Sequence, residues 1–414
     1  MTRWPLTVRG TGAALLSLLC FVLAHEFRIT ELIYVGVLLG AVVIASIATL
    51  HLVRRTETVV RSFSPGVAAV GSDVDVRARV DIRSPLPIAQ GRWSDTLPRG
   101  ITGGATGDFP AVASGMRTKR NCVEISYTVR ADRRGVRRFG PLTITSTDPF
   151  GFARRRHAVG GTVTLTVAPV IVDLGSLADL PGEAGGNMHT ATHQLGQGTD
   201  NLVPRHYTPG DSMRRIHWRA SAHRDELMVR QEEQETAPEA TVVFDRAVRR
   251  WDASAARAPG TDPGFEAAVS ATVSAVARFV AEGYRVTVLE VDGTELCAPI
   301  DSGDTTGAPH LAMSLATIVT HGQASFDAVV RLFAGTMTGP LVLVTGILDE
   351  TDAALLAPLA PHSSLPILLA VAPQGAALAR AADSGWRAVG IGPHEDLTQA
   401  WRFAVDRGTS RVGA

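Results

Sequence analysis

Two long apolar runs within the first 55 residues constrain the fold of this 414-residue chain more than any other feature. The first lies within about residues 10–26 and the second within about residues 33–53. A helix of roughly 18 or more apolar residues is long enough to cross the hydrocarbon core of a bilayer. The sequence therefore predicts a transmembrane helical hairpin over residues 1–55.

The distribution of arginines predicts the side of the membrane on which the rest of the chain lies. Arg3 and Arg9 precede the first run, and Arg54, Arg55 and Arg61 follow the second. The short connection carries one arginine and two glutamates. Because cytoplasmic flanks hold the excess of basic residues, we expect a multi-pass protein of the inner (plasma) membrane whose soluble domains face the cytoplasm.

The first run has two alternative interpretations. A cleaved signal peptide would also have a basic start and a short apolar core, but no small-x-small cleavage site follows and a second apolar run comes at once. A hairpin buried in a soluble domain is the other alternative. The membrane hairpin accounts best for the length of the second run, which has no charged residue over residues 33–50.

Overall composition excludes several classes of protein. Lys and Arg total 40, Asp and Glu total 40, and the balance argues against a nucleic-acid partner that binds through net charge. Three cysteines, far apart, exclude a disulfide framework and a zinc site built from four thiolates.

Residues 56–173 have the pattern of a small β-domain. Apolar and polar residues alternate over 74–82, 123–129 and 163–167, and turn residues separate these stretches. Alternation of this kind predicts half-buried strands, and several short strands predict an antiparallel β-sandwich. Seven arginines of this domain form either a solvated strand edge, which we favour, or a surface for anionic lipid. They are Arg133, Arg134, Arg137, Arg138, Arg154, Arg155 and Arg156.

Residues 174–200 are rich in glycine and small side chains, which predicts a linker. The next stretch, residues 201–239, is called the signature segment below. In it, a turn over residues 208–210 precedes a predicted helix that starts at Asp211 or Ser212 and ends near Ala222. On that helix Met213 and Ile216 would pack against the protein.

The arginines of the signature segment allow three interpretations. They could bind nucleic acid beside Tyr207 and Trp218, or bind a phosphate or acidic ligand at the helix N-terminus. They could instead pair internally with nearby acids, with Trp218 in the core. We favour the internal scaffold because the acids of the segment nearly balance its bases.

The spacing of the signature segment resembles the domain-of-unknown-function family 58. The positions that carry the resemblance are Arg205, Tyr207, Pro209, Gly210, Asp211, Arg214, Ile216, Trp218, Ala222, Arg224 and Leu227. The resemblance implies a membrane hairpin, a β-rich domain ending in the phrase TDPFG at residues 147–151, and a C-terminal α/β domain. It also implies a protein partner, a MoxR-type AAA+ ATPase, in cell-envelope processes. It implies no catalytic activity.

Strand and helix patterns alternate over residues 240–414, which predicts a doubly wound α/β domain with a parallel sheet. Asp245 follows the first strand, and the domain resembles the von Willebrand factor A fold. That fold uses Asp-x-Ser-x-Ser for a metal, whereas this chain reads DRAVR from Asp245 and lacks both serines. Asp349 matches the later aspartate of the fold. We therefore expect ion pairs at Asp245 and Asp349, and neither a metal nor a cofactor.

Together these patterns favour a membrane-anchored, non-catalytic adaptor or protein-interaction scaffold. One alternative is a hydrolase-like enzyme that uses Asp211, His206 and His217. Another is a sensor of anionic ligands or of the lipid surface through the arginine clusters. We favour the adaptor because the sequence shows neither a nucleophile elbow nor an acid–base pair.

Overall fold

The computed structural model describes residues 4–51, 56–84, 87–113, 121–177, 202–207, 216, 218–224, 226–232, 237–393 and 395–406. The chain divides into two compact units. Unit 1 comprises Met1–Val170 with Met313–Ile318, and unit 2 comprises Ile171–Ala312 with Val319–Ala414.

Unit 1 begins with two apolar helices, and both are long and apolar enough to cross a membrane. They are α1 (Val8–Phe27) and α2 (Thr30–His51), so the first helix begins two residues earlier than the predicted span and the second begins three residues earlier. Small side chains lie between the helices, and Ser17 Oγ donates a hydrogen bond to the Gly36 carbonyl at 2.7 Å. Small residues let helix backbones approach closely inside a bilayer.

The β-domain of unit 1 contains eleven strands among the described residues. They are β1 (Thr56–Ser64), β2 (Val67–Ala69), β3 (Asp73–Arg83), β4 (Gly91–Asp95), β5 (Ile101–Gly103), β6 (Thr106–Phe109), β7 (Asn121–Ala131), β8 (Gly135–Phe139), β9 (Leu142–Thr147), β10 (Arg154–Val159) and β11 (Val163–Ala168).

Three sheets form from these strands, in the orders β1-β3-β7-β5, β10-β9-β4-β6 and β2-β11-β8. Every other side chain of β3 and β7 is buried, as the alternation predicts. These side chains belong to one hydrophobic core of the β-domain, which includes Val76 of β3, Phe109, Phe139 and Leu142. The prediction of antiparallel pairing needs one correction, because β2 and β11 run parallel.

A buried polar cluster corrects the prediction for Arg61. The sequence places Arg61 among the cytoplasmic flanking charges, but its side chain is buried in the β-domain. Its guanidinium donates to both carboxylate oxygens of Asp95 at 2.9 Å, and Tyr127 donates to the same carboxylate at 2.6 Å. Burial and the neighbouring Asp95 raise the pKa of Tyr127. In the folded protein, Arg61 therefore belongs to the core of the β-domain and not to the exposed flank of the hairpin.

The predicted cluster of seven arginines is also divided in the structure. Arg134 is fully buried and donates to the carbonyls of Leu315 and Ile318, within the Met313–Ile318 segment of unit 1. Arg154 and Arg156 lie on β10, which belongs to a different sheet from β8. The seven arginines therefore do not share a single surface.

Unit 2 contains a five-stranded parallel sheet of order β15-β14-β16-β17-β18. Its strands are β14 (Glu239–Phe244), β15 (Arg285–Glu290), β16 (Thr338–Leu348), β17 (Ser363–Pro373) and β18 (Arg387–Gly390). The helices are α4 (Pro263–Ala281), α5 (Gly307–Ser314), α6 (Phe326–Phe333), α7 (Glu350–Leu356), α8 (Ala377–Asp383) and α9 (Leu397–Asp406). This strand order is that of doubly wound sheets, in which the connections reverse direction between β14 and β16.

Two features of unit 2 modify the sequence interpretation. Helix α4 also has the length and composition of a membrane span, but 61% of its apolar window is buried inside the protein, so it is a core helix. The predicted linker starts too early, because Leu174 and Leu177 are buried. The carbonyl of Gly175 accepts a hydrogen bond from Trp401 Nε1 at 3.1 Å, which fixes the chain before residue 178.

Candidate functional site

The described part of the signature segment is a two-stranded ribbon with a short helix. Strands β12 (Leu202–His206) and β13 (Met228–Glu232) pair antiparallel, with Arg205 opposite Val229. The Tyr207 amide extends the pairing by donating to the Leu227 carbonyl at 2.8 Å. Helix α3 (Trp218–Arg224) connects to β13 through Ser221 Oγ, which accepts from the Met228 amide at 2.8 Å.

Ile216 shows that the predicted helix of residues 211–222 is wrong at its centre. Ile216 is buried and forms an isolated antiparallel bridge to Val229, so it is extended rather than helical. The helix is described over Trp218–Arg224, two residues further along than the predicted end at Ala222. The apolar residue at 216 packs as predicted, but through β-pairing.

Trp218 is the clearest departure from the favoured scaffold. The scaffold places this side chain in the core, whereas it is 68% exposed in the structure. Leu227 is 44% exposed at the other end of the segment, next to the buried Met228 and Val229. Both of these apolar side chains are therefore exposed to solvent rather than packed in the core. We call Trp218 and Leu227 the exposed apolar pair.

The remaining signature residues take different positions. Ala222 and Arg224 lie on α3, and Arg205 lies on β12. His206 Nδ1 lies 2.8 Å from Glu226 Oε2, and both side chains are largely exposed. The other candidates lie outside the described residues: Pro209, Gly210, Asp211, Arg214 and His217. Of the three residues of the hydrolase alternative, the described part of the chain therefore includes His206 alone.

A second candidate site lies at the carboxyl edge of the parallel sheet, at the reversal of connections between β14 and β16. Asp245 follows β14 and is fully buried. Its carboxylate accepts hydrogen bonds from the Ala247 amide at 2.9 Å and from Thr345 Oγ1 at 2.8 Å. Burial raises the pKa of Asp245, and the nearby Arg250 opposes that rise. Asp245 therefore occupies the place in which this fold class binds ligands.

A guanidinium group lies beside the Asp245 carboxylate. Arg250 Nε is 2.8 Å from Asp245 Oδ2, an ion-pair contact that is not aligned as a hydrogen bond. Its terminal nitrogens donate to the two oxygens of Asp352 at 2.5 and 2.9 Å. The same group donates to the Ile347 carbonyl and lies 4.0 Å from the centre of the Phe326 ring. Arg250 thus bridges two carboxylates at the sheet edge.

Asp352, and not Asp349, is the second carboxylate of this centre. Asp349 caps helix α7, and its side chain accepts from the Asp352 amide at 2.8 Å in a capping box. Burial acts to raise the pKa of Asp352, but the hydrogen bonds and charge of Arg250 outweigh it and lower the pKa. Among the residues that the structure describes, no group of three or more His, Cys, Asp or Glu side chains could hold a metal ion.

Arg250 and Asp352 were both missed by the sequence analysis. Arg250 directly follows the DRAVR stretch, and Asp352 stands three residues after Asp349, the spacing of a capping box. The capping spacing was a usable signal for the role of Asp349. Nothing in the sequence links Arg250 to Asp352, since their meeting depends on the order of the strands.

The TDPFG phrase forms a turn that holds the start of α1. Asp148 is buried, and its carboxylate accepts from the Phe150 amide at 2.9 Å and the Ala153 amide at 2.6 Å. Thr7, the N-cap of α1, donates from Oγ1 to the Gly151 carbonyl at 2.6 Å. Its amide donates to the Phe152 carbonyl at 2.9 Å. The phrase therefore connects the β-domain to the hairpin within unit 1.

Comparison with known proteins confirms the resemblance over part of the chain. Residues 204–338 match the model of the family described as "Protein of unknown function DUF58". No curated protein matches the sequence.

The solved structures that match are remote. The CARDB domain of a Pyrococcus furiosus protein is 12% identical over 27% of this chain and 94% of its own, with a TM-score of 0.19. A cohesin module from a Clostridium perfringens glycoside hydrolase is 12% identical over 28% of this chain and 98% of its own, with a TM-score of 0.18. Scores this low support no argument about fold or function.

Proposed function

We propose that this chain, whose residues 204–338 match the DUF58 family, is a membrane-anchored, non-catalytic adaptor. The hairpin of α1 and α2 anchors it in the inner membrane, and the soluble domains lie in the cytoplasm. The exposed apolar pair, Trp218 and Leu227, binds a protein partner. The exposure of Trp218, at 68%, is the observation that carries the proposal, because burying a tryptophan on binding supplies much of the affinity of an interface.

The sheet-edge centre supports a role in recognition rather than metal-dependent chemistry. We propose that unit 2 is a von Willebrand factor A-like domain in which the Arg250 guanidinium stands where related folds hold a cation. The two carboxylates that would attract a cation, Asp245 and Asp352, are both within ion-pair distance of that guanidinium. A cation placed between them would meet a fixed positive charge.

The partner that we propose is a MoxR-type AAA+ ATPase in a cell-envelope process, which is the partner class that the family resemblance implies. We propose that the exposed apolar pair is the part of the chain that contacts this partner. In protein interfaces, tryptophans commonly act as hot spots within a rim of polar groups. The His206–Glu226 pair, which is exposed in the same segment, would belong to such a rim.

The test compares binding of the full-length chain, purified in detergent, to a purified MoxR-type ATPase of the same organism. Trp218→Ala should weaken binding by about 30-fold or more, as expected for a hot-spot residue. Phe403→Ala is the matched control, since Phe403 is another exposed aromatic of unit 2 at 51% and lies on α9.

Two results would contradict the proposal. One is equal binding by wild type and Trp218→Ala, which would show that the exposed tryptophan is not part of the interface. The other is that the ATPase shows no binding to the wild-type chain at any concentration tested. Loss of binding in the Phe403 control as well would show that the effect is not specific to Trp218.

A further inference from the structure

We propose that one edge of unit 1 binds the anionic phospholipid headgroups of the leaflet at which the hairpin begins and ends. The surface consists of Trp4, Arg9, Phe150, Arg154 and Arg156, and we call it the headgroup patch. The inference rests on the proposed membrane anchoring, because it takes the ends of α1 and α2 as the level of the bilayer surface.

Strand β10 is joined to the start of α1. Leu6 and Ala153 form an antiparallel bridge, and the Arg154 amide donates to the Pro5 carbonyl at 2.8 Å. Helix α1 begins two residues after Leu6, at Val8. The first residue of β10 is therefore held within one turn of the point where the chain enters the membrane.

The same strand is joined to the end of α2. The Arg155 guanidinium donates to the Leu50 carbonyl at 2.7 Å, in the last turn of α2. Two separate attachments, one to each helix, fix β10 along the ends of the hairpin. The polar headgroup layer is about 5–7 Å thick on each side of the hydrocarbon core, so extended arginine side chains from this strand reach it.

The side chains of the patch are free to meet lipid. Arg154 and Arg156 are exposed, while Arg155 and His157 between and beside them are partly buried. Trp4 is 65% exposed and Phe150 is 61% exposed, and Arg9 is exposed in the first turn of α1. Tryptophan and other aromatic side chains next to arginines are typical of segments at the membrane–water boundary.

Two carboxylates on neighbouring segments do not neutralise the patch. Asp148 is buried and its oxygens accept from backbone amides of its own turn. Glu57 lies 2.7 Å from His157 Nε2, on the partly buried side of β10. We therefore assign Arg9, Arg154 and Arg156 to the leaflet surface, where each basic residue strengthens binding to an anionic membrane about five-fold.

The experiment uses the full chain with Cys20, Cys122 and Cys297 replaced by serine, reconstituted in lipid nanodiscs. A single cysteine is placed at Phe150→Cys and labelled with an environment-sensitive fluorophore. Quenching is compared between spin-labelled phosphatidylglycerol and spin-labelled phosphatidylcholine, each with the nitroxide near the headgroup. Asp108→Cys is the control position, because β6 lies three strands from β10, about 14 Å away across the same sheet.

The label at position 150 should be quenched by both lipids and more strongly by phosphatidylglycerol, and the label at 108 should be quenched by neither. Adding Arg154→Gln and Arg156→Gln should remove the preference for phosphatidylglycerol while leaving quenching by phosphatidylcholine. High salt should act in the same direction, since it screens exposed charges. Equal quenching by the two lipids in the wild-type background would overturn the proposal.

A third label position separates this proposal from the anchoring on which it rests. Leu16 is exposed in the middle of α1, and a label at Leu16→Cys should be quenched by nitroxides near the methyl end of the acyl chain. If position 16 is quenched and position 150 is not, the hairpin is inserted and the headgroup patch is wrong. If position 16 is not quenched, the anchoring itself fails, and the headgroup patch fails with it.

Discussion

At the scale of single residues, Arg250 provides the positive charge that balances two carboxylates at the sheet edge of unit 2. A fully buried aspartate is costly to ionise unless a counter-charge is within reach. Arg250 supplies that charge to Asp245, and both of its terminal nitrogens donate hydrogen bonds to Asp352. If Arg250 loses one of these two carboxylates, its buried charge is left partly unpaired. The stability of unit 2 should therefore depend on the ionisation of Asp352 and on pH.

Asp352→Asn should lower the free energy of unfolding by about 1.5–3 kcal/mol at pH 7, the range for a hydrogen bond to a charged group. The folded-state pKa of Asp352 lies below its ordinary value. Its stabilising contribution is therefore complete above the unfolded pKa of about 4 and is lost as the pH falls through the folded value. Thermal unfolding of the detergent-purified chain between pH 7 and pH 3 measures the difference.

Asp349→Asn is the matched control for that measurement. Asparagine caps a helix about as well as aspartate, so this variant should stay close to wild type at every pH. A gap between wild type and Asp352→Asn that does not narrow on acidification would mean that the charge of Asp352 is not what stabilises the centre.

At the scale of elements, the junction between α1 and the TDPFG turn depends on a glycine. A Cβ atom on Gly10 would lie 1.9 Å from the Phe152 carbonyl oxygen, closer than any real contact. Gly12 is on the same helix, and a Cβ there would meet nothing within 4 Å. The two glycines thus differ in their surroundings while sharing a helix.

Gly10→Ala should destabilise unit 1 by about 1–3 kcal/mol, because the turn must move to admit the methyl group. Gly12→Ala should be neutral or stabilising by up to about 1 kcal/mol, the gain from replacing glycine in a helix. Limited proteolysis at the Phe150–Phe152 turn, with thermal unfolding of the same samples, compares them. Equal protease sensitivity of the two variants would argue against close packing of α1 on the turn.

The elements that could be predicted from the sequence are those in which the spacing or length of the apolar residues indicates a single type of element. The alternation of 74–82 and 123–129 identified β3 and β7, and the length of the apolar runs identified α1 and α2. Ile216 was assigned to a helix because one apolar residue between polar neighbours fits either period. Its β-bridge to Val229 depends on a strand that follows later in the chain.

The site was less predictable than the fold for a similar reason. The position of Asp245 after a buried strand was sufficient to expect a ligand-type location and an ion pair there. The identity of its partners required the strand order that brings β14 beside β16 and the helix after it. The exposure of Trp218 ran against the general tendency of tryptophan to be buried, and only the fold around the signature segment reveals it.

At the scale of the whole molecule, we propose a membrane anchor that carries cytoplasmic recognition domains. In this proposal the hairpin supplies membrane attachment, the headgroup patch holds unit 1 against the leaflet, and the signature segment of unit 2 presents the exposed apolar pair to a partner. Each of these roles requires the β-domain and the α/β domain to lie on the same side of the membrane as Arg3, Arg9, Arg54 and Arg55. Sidedness is therefore the central claim.

Cysteine labelling in intact cells tests that claim most directly. Cys122 is native and exposed in the β-domain, and Ile29, between α1 and α2, is 42% exposed and can be replaced by cysteine. With Cys20 and Cys297 changed to serine, a membrane-impermeant maleimide should label Ile29→Cys in intact cells and Cys122 only after permeabilisation. Labelling of Cys122 in intact cells would place the β-domain outside and contradict the account.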